Sequence, residues 1–165
     1  DFCLSRGLGD VYKRQPQLFY GTEVLMDHPG HNKVDGLIRS DFPGGWSGDA
    51  VNAFTGAGLS ANQTQVKSYV KQLLNWRKNN AVIANGQLLH FAPFDGLYVY
   101  FRYNKEQTIM VVLNKNTTAT TFETARFKEI INGKTKALDV MQQQWQPIGG
   151  SMSVKPLSAT VFELK

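Results

Sequence analysis

Pro16-Gln17-Leu18-Phe19-Tyr20-Gly21-Thr22-Glu23 is an apolar run that stops abruptly at a glycine and gives way to a polar loop. Leu18, Phe19 and Tyr20 show no polar alternation. A short run of that kind fits a strand buried on both faces, as in a parallel sheet. Such a strand needs parallel neighbours, each followed by a helix, and no other stretch of the 165 residues reads that way. The expectation is that the run is the last strand of a larger sheet and that the chain is the tail of a longer protein.

Upstream, residues 1–15 read DFCLSRGLGDVYKRQ, with neither helical nor strand periodicity. They also lack the long apolar core and small-residue cleavage site of a signal peptide. Asp10-Val11-Tyr12-Lys13-Arg14-Gln15 is what GAT GTG TAT AAG AGA CAG encodes, which resembles the end of a transposase adapter used in sequencing libraries. The segment 1–15 is therefore set aside as a translated adapter, the alternative being an ordinary loop ahead of the strand. Its Cys3 is the single cysteine, so it forms no internal disulfide and says nothing firm about compartment.

Composition narrows the function classes. The formal charge is +5, but Lys and Arg are scattered, and no basic stripe with interleaved aromatics appears, so nucleic-acid binding is not expected. No apolar run approaches the ~20 residues a membrane helix needs, so no membrane span is expected.

Downstream of the run, a long loop carries Glu23, Asp27, His28, His31, Asp35, Arg39, Asp41, Trp46 and Asp49, with turn signals at Pro29-Gly30 and Pro43-Gly44-Gly45. His28 and His31 beside Asp27 lack a third ligand at suitable spacing, so the loop reads as solvated and no metal site is assigned. Residues 49–57 suit a short helix with Asp49 as N-cap and Gly56 or Gly58 ending it. Ser60-Ala61-Asn62-Gln63 has the form of a capping box. Val66, Tyr69, Val70, Leu73 and Leu74 follow at helical spacing as one apolar stripe, with Trp76 off it, and Lys78-Asn79-Asn80 closes the helix.

Beyond a link at 81–87 the period changes to that of strands. Candidates are 88–91, 97–103, 108–114, 135–140, 144–147, 152–154 and 160–164. Asp95-Gly96 joins the first pair, 104–107 the next, and a helical turn spans 123–131 before Asn132-Gly133. Many short strands with regular turns read as an antiparallel sandwich.

The octet resembles the last barrel strand of the alpha-amylase family of glycoside hydrolases, where P-x-x-x-Y-G-x-E recurs. The likeness continues through Asp35-Gly36-Leu37-Ile38-Arg39, Asp41-Phe42-Pro43-Gly44-Gly45-Trp46, Leu73-Leu74-Asn75-Trp76-Arg77-Lys78 and the tail from Pro156 to Leu164. The F-P-G-G-W form is most similar to the neopullulanase and cyclomaltodextrinase-like branch. The resemblance implies an α+β fragment: the last strand and helices of a TIM (β/α)8 barrel at 16–80, followed by an antiparallel β-sandwich at 81–165. It implies a parent that is a retaining hydrolase of alpha-1,4 and possibly alpha-1,6 glucosidic bonds, with an alpha-glucan oligosaccharide as partner. The motifs that hold the nucleophile, the acid and a third aspartate are absent here, so the fragment alone is expected to be inactive. No cofactor is evident; calcium is possible in the intact parent, though no ligand set is visible. Starch-uptake relatives suggest a periplasmic or secreted location.

Loops after barrel strands form the catalytic face, so the 21–49 loop would face substrate. Asp35 and Arg39 match a D-x-x-x-R element that the resemblance places on glucose hydroxyls. An internal ion pair shaping the loop explains them equally well, and Gly36 stands where relatives often have proline. Trp46 could stack on a sugar ring, although anchoring the loop is the commoner role after Pro-Gly-Gly. Glu23 suits a hydrogen bond to loop backbone near the site rather than proton transfer. The rival reading is a non-catalytic carbohydrate-binding or packing module that holds sugar on Tyr98, Tyr100 and Tyr103.

Overall fold

The computed structural model describes residues 18–27 and 39–165. The adapter-like segment, Pro16, Gln17, the Pro29-Gly30 turn, His28, His31 and Asp35 lie outside the described residues. The chain divides into two compact units, one up to Val70 and one from Lys71 to Lys165.

In the second unit every strand pairing is antiparallel. The strands are β1 (Gln87–His90), β2 (Leu97–Tyr103), β3 (Thr108–Asn114), β4 (Thr120–Glu123), β5 (Lys136–Asp139), β6 (Gln144–Pro147), β7 (Ser151–Val154) and β8 (Ser158–Leu164). Six of them form one sheet in the order β1-β2-β3-β8-β5-β6, while β4 and β7 form a separate ribbon. This meets the all-β expectation. Strands 97–103, 108–114 and 144–147 fall as read from the sequence, and β4 was missed.

The sheet is covered on both faces, and the sequence shows why. Leu97, Val99 and Phe101 alternate along β2 and share a core with Met110, Val112, Phe162 and Leu164. Phe122 and Met152 of the ribbon, together with Phe127, close that side. Ile109, Val111 and Val161 point the other way, into a second cluster with Val82, Val140, Leu73 and Trp76. Strand β3 is thus buried on both sides, and Thr108 to Val112 are all buried. A near-continuous apolar run is what such a strand requires.

The similar run at 16–23 forms no strand among its described residues, 18–23. Leu18, Phe19 and Tyr20 are exposed, Phe19 by 68%. Thr22–Val24 forms a 3-10 turn between left-handed Gly21 and Leu25. The backbone closes on itself: Thr22 N–H donates to Phe19 O at 3.3 Å and Met26 N–H to Gly21 O at 2.9 Å. A parallel strand needs neighbours to accept its ladder, and no described segment offers one. The barrel strand is therefore not seen among the described residues.

The helix expected at 49–57 is also replaced by turns. Asn52 Oδ1 accepts from the N–H groups of Phe54 (2.9 Å) and Thr55 (3.0 Å), a local side-chain bond that competes with helix formation.

Helix α1 (Ala61–Lys78) begins as read. Ser60 N–H donates to Gln63 Oε1 at 2.9 Å, and Gln63 N–H donates to Ser60 Oγ at 3.3 Å, so the box is reciprocal. Tyr69 and Leu74 of the stripe stay exposed. Trp76, set off the stripe by the sequence, joins Leu73 in the second cluster instead. Gln72 Nε2 donates to the carbonyls of Val140 (3.0 Å) and Met141 (3.1 Å), and the Trp76 indole N–H donates to Glu163. These bonds tie the last two turns of α1 to the sheet, which is why the division falls inside the helix and not at 80/81.

The link at 81–87 contains a second short helix, α2 (Ala81–Asn85), whose Val82 is fully buried. Arg102 Nη2 donates to its terminal carbonyls at Ile83 (2.7 Å) and Ala84 (3.3 Å), as a cation does at a helix C-terminus. Downstream, α3 (Lys128–Ile131) follows a 3-10 turn at Thr124–Phe127, in the region read as helical.

Candidate functional site

The four residues singled out as substrate contacts all belong to the first unit. Glu23 sits in the 3-10 turn, half-buried. Arg39 is exposed. Asp35 lies outside the described residues, so its spacing to Arg39 is a sequence relationship only.

Trp46 occupies a tight loop whose construction is visible. Gly44 is left-handed at φ +91°, and a Cβ there would lie 2.7 Å from Asn52 Cγ, so the glycine is required. Gly45 N–H donates to Phe42 O (3.0 Å), and Ala53 N–H donates to Pro43 O (3.0 Å). The Asp49 carboxylate Oδ2 accepts from Gly44 N–H (2.8 Å) and Trp46 N–H (3.2 Å). A carboxylate on two backbone donors is a strong local clamp. It fixes the Trp46 backbone while the side chain stays 69% exposed. The ring is presented to solvent from a base fixed by these bonds. Asp49 had been read as a forward helix cap; it closes the loop behind it instead.

In the second unit the three tyrosines do not form one platform. Side chains alternate along a strand, so Tyr98 and Tyr100 share one face of β2 and Tyr103 has the parity of the opposite face. The rings of Tyr98 and Tyr100 lie 5.7 Å apart at 36°, and His90 approaches Tyr98 edge-on at 6.3 Å. Burial raises the Tyr100 hydroxyl above its ordinary pKa, and neighbouring Tyr98 adds to this; Arg77 and Arg102 oppose it. Leu113, opposite Tyr98 in the ladder, is 38% exposed. Beside it lies an open hollow of about 410 Å³ lined by Pro93, Phe94, Asp95, Leu113, Asn114 and Lys115, which the sequence did not reveal.

Among the described residues no group of three or more His, Cys, Asp and Glu is placed to hold a metal ion. No helix among them is long and apolar enough to cross a membrane.

Residues 88–163 match the family model of the cyclo-malto-dextrinase C-terminal domain. Solved structures with the same fold include an alpha-amylase from Geobacillus thermoleovorans complexed with acarbose. It is 15% identical with a TM-score of 0.62, covering 89% of this chain and 29% of that one. An Anoxybacillus alpha-amylase is 17% identical with a TM-score of 0.59, covering 88% and 28%. AmyP in complex with maltose is 18% identical with a TM-score of 0.57, covering 70% and 23%. The chain spans about a quarter of the length of these structures. The β unit is thus similar to the cyclo-malto-dextrinase C-terminal domain over residues 88–163 and shares the fold of the end of these amylases.

Proposed function

We propose that this chain is the C-terminal part of a periplasmic or secreted retaining hydrolase that cleaves alpha-1,4 glucosidic bonds of starch-like oligosaccharides, with alpha-1,6 bonds the further linkage to assay. The observation that carries the reading is the cyclo-malto-dextrinase C-terminal domain at 88–163, preceded in sequence by the Tyr20-Gly21-Thr22-Glu23 and Pro43-Gly44-Gly45-Trp46 motifs. Retaining hydrolysis needs two carboxyl groups about 5–5.5 Å apart on a rigid frame, one attacking the anomeric carbon and one protonating the leaving oxygen. The motifs that carry those acids are absent from this sequence, so the chain alone does not cleave glucan. In the whole enzyme Asp35 and Arg39 hold glucose hydroxyls, the Trp46 ring stacks on a sugar face, and Glu23 braces the loop backbone.

Two measurements test this reading. The DNA upstream of the codon for Pro16 is expected to encode three acidic barrel-strand motifs, and their absence overturns the proposal. The 165-residue chain incubated with maltohexaose is expected to release no reducing sugar; measurable release would place the catalytic acids within this chain.

A further inference from the structure

We propose that Lys67 of helix α1 is a positioning residue for Trp46, setting where the turn that carries the indole stands. The use of that placement rests on the reading above, in which the Trp46 ring stacks on a sugar face. Lys67 is half-buried in the first half of α1. Its ammonium donates to the carbonyls of two successive loop residues, Ala53 and Phe54, the latter at 3.3 Å. A lysine carries three N–H donors on one compact charge, so a single side chain holds both oxygens. Ala53 is only 3% exposed, and a carbonyl drawn away from water needs such a donor.

From Ala53 the constraint passes to the Trp46 turn through contacts already in place. Ala53 N–H donates to Pro43 O at 3.0 Å, and the Phe54 ring lies 5.4 Å from that of Phe42. Asn52, one residue earlier, lies against Gly44. Pro43 and Gly44 open the turn whose amides, at Gly44 and Trp46, converge on the Asp49 carboxylate. The turn is therefore held twice. Asp49 fixes its shape from within, and the 52–54 segment, gripped by Lys67, fixes its place against the helix. The indole itself is mostly exposed, so its position follows from the backbone beneath it. A ring that binds by one face depends on that kind of support from residues that never touch the ligand.

The test uses the full 165-residue chain labelled with fluorotryptophan and read by fluorine NMR, with Trp46→Phe identifying the Trp46 signal among the three tryptophans. Lys67→Met keeps the stem and the helix propensity and removes the ammonium. It is expected to move the Trp46 signal and to speed hydrogen exchange of the Ala53 amide about tenfold or more. The Trp76 and Trp145 signals and the exchange of the Gln63 amide are expected to stay as in the unaltered chain. Lys67→Arg, which keeps a cation able to reach two carbonyls, is expected to restore the Trp46 signal. An unmoved Trp46 signal in Lys67→Met overturns the proposal. So does a Lys67→Arg chain as displaced as Lys67→Met, since the cation would then not be what holds the loop. A shift of all three signals, or lost protection at Gln63, also overturns it, because Lys67 would then be a general prop of the fold. Titrating the unaltered chain with maltoheptaose at the same signal bears on the stacking reading alone, so the two readings stand or fall separately.

Discussion

The indole N–H of Trp76 on α1 donates to the carboxylate of Glu163 on β8, bridging 87 positions of sequence. It is the point at which the helix stops being an outer layer and becomes part of the β unit's core. Trp76→Phe keeps most of the ring and loses the bond, and should cost about 1 kcal/mol in urea unfolding. Trp76→Ala also vacates a half-buried site, and should cost about 2–3 kcal/mol, less than a fully buried tryptophan. Equal costs for the two variants would mean that the ring's packing contributes nothing.

Trimming the chain to Lys71–Lys165 should preserve the β unit, because Gln72, Leu73 and Trp76 are retained. Beginning at Ala81 removes all three and uncovers Ile109, Val111 and Val161. Circular dichroism and a thermal midpoint should show the longer piece folded and the shorter one markedly less stable. Indistinguishable midpoints would disprove the assignment of the helix end to this unit.

Phe127 is the hub of the larger core. Its ring meets Phe91 at 4.8 Å, Phe101 at 5.7 Å, Phe122 at 5.9 Å and Phe94 at 6.2 Å, and it is fully buried. Phe127→Ala should destabilise by about 3–5 kcal/mol, whereas Phe127→Leu should cost substantially less. The comparison is read from chemical denaturation midpoints.

Tyr100 titrates above the ordinary phenol value of 10.0 in the folded chain, because burial disfavours its phenolate. The folded state therefore holds this proton more tightly than the unfolded state. The associated stability is fully present below pH 10.0 and is lost as pH rises through the raised value. Tyr100→Phe should flatten the alkaline fall of the unfolding midpoint and remove the latest step in the phenolate absorbance titration. An unchanged alkaline profile would rule out Tyr100 as its source.

Gly96 closes the β2 hairpin at φ +76°, next to Asp95 at φ +44°. Two successive left-handed residues are the signature of the turn that matches strand twist. A Cβ on Gly96 would lie 2.1 Å from Asn116 Oδ1. Gly96→Ala should thus strain the backbone and displace Asn116 from Asp95 O, costing about 1–3 kcal/mol. Asn116→Ala should remove part of that penalty in the double variant.

The β unit was largely legible in the sequence because its strands are bounded by residues with a mechanical reason to turn. Asp95-Gly96 reverses the chain by dihedral preference. Asn104 does so by side chain, its Oδ1 accepting from Glu106 N–H (2.9 Å) and Gln107 N–H (2.7 Å). Sequence reading and structure part where local pattern does not determine the outcome. An apolar run at 18–20 and one at 108–112 look alike, and only neighbouring strands make the second a central strand. Trp76 falls off the helical stripe by spacing, yet the buried face is chosen by the sheet it meets. Asp49 has the right chemistry for a helix cap, but the amides nearest its carboxylate lie behind it, at Gly44 and Trp46. The hollow beside Leu113 could not be foreseen, since it depends on a hairpin tip and a strand end arriving at the same place.

Strand β8 lies between β3 and β5, so the β5–β6 hairpin reaches the rest of the sheet only through it. During synthesis the ribosome releases 158–164 after every other strand. Until then the two halves of the sheet have no common member, and Met110 and Val112 lack the Phe162 side of their core. A premature stop or frameshift near codon 157 would therefore remove the joint itself, leaving an open-edged intermediate prone to pair with other copies.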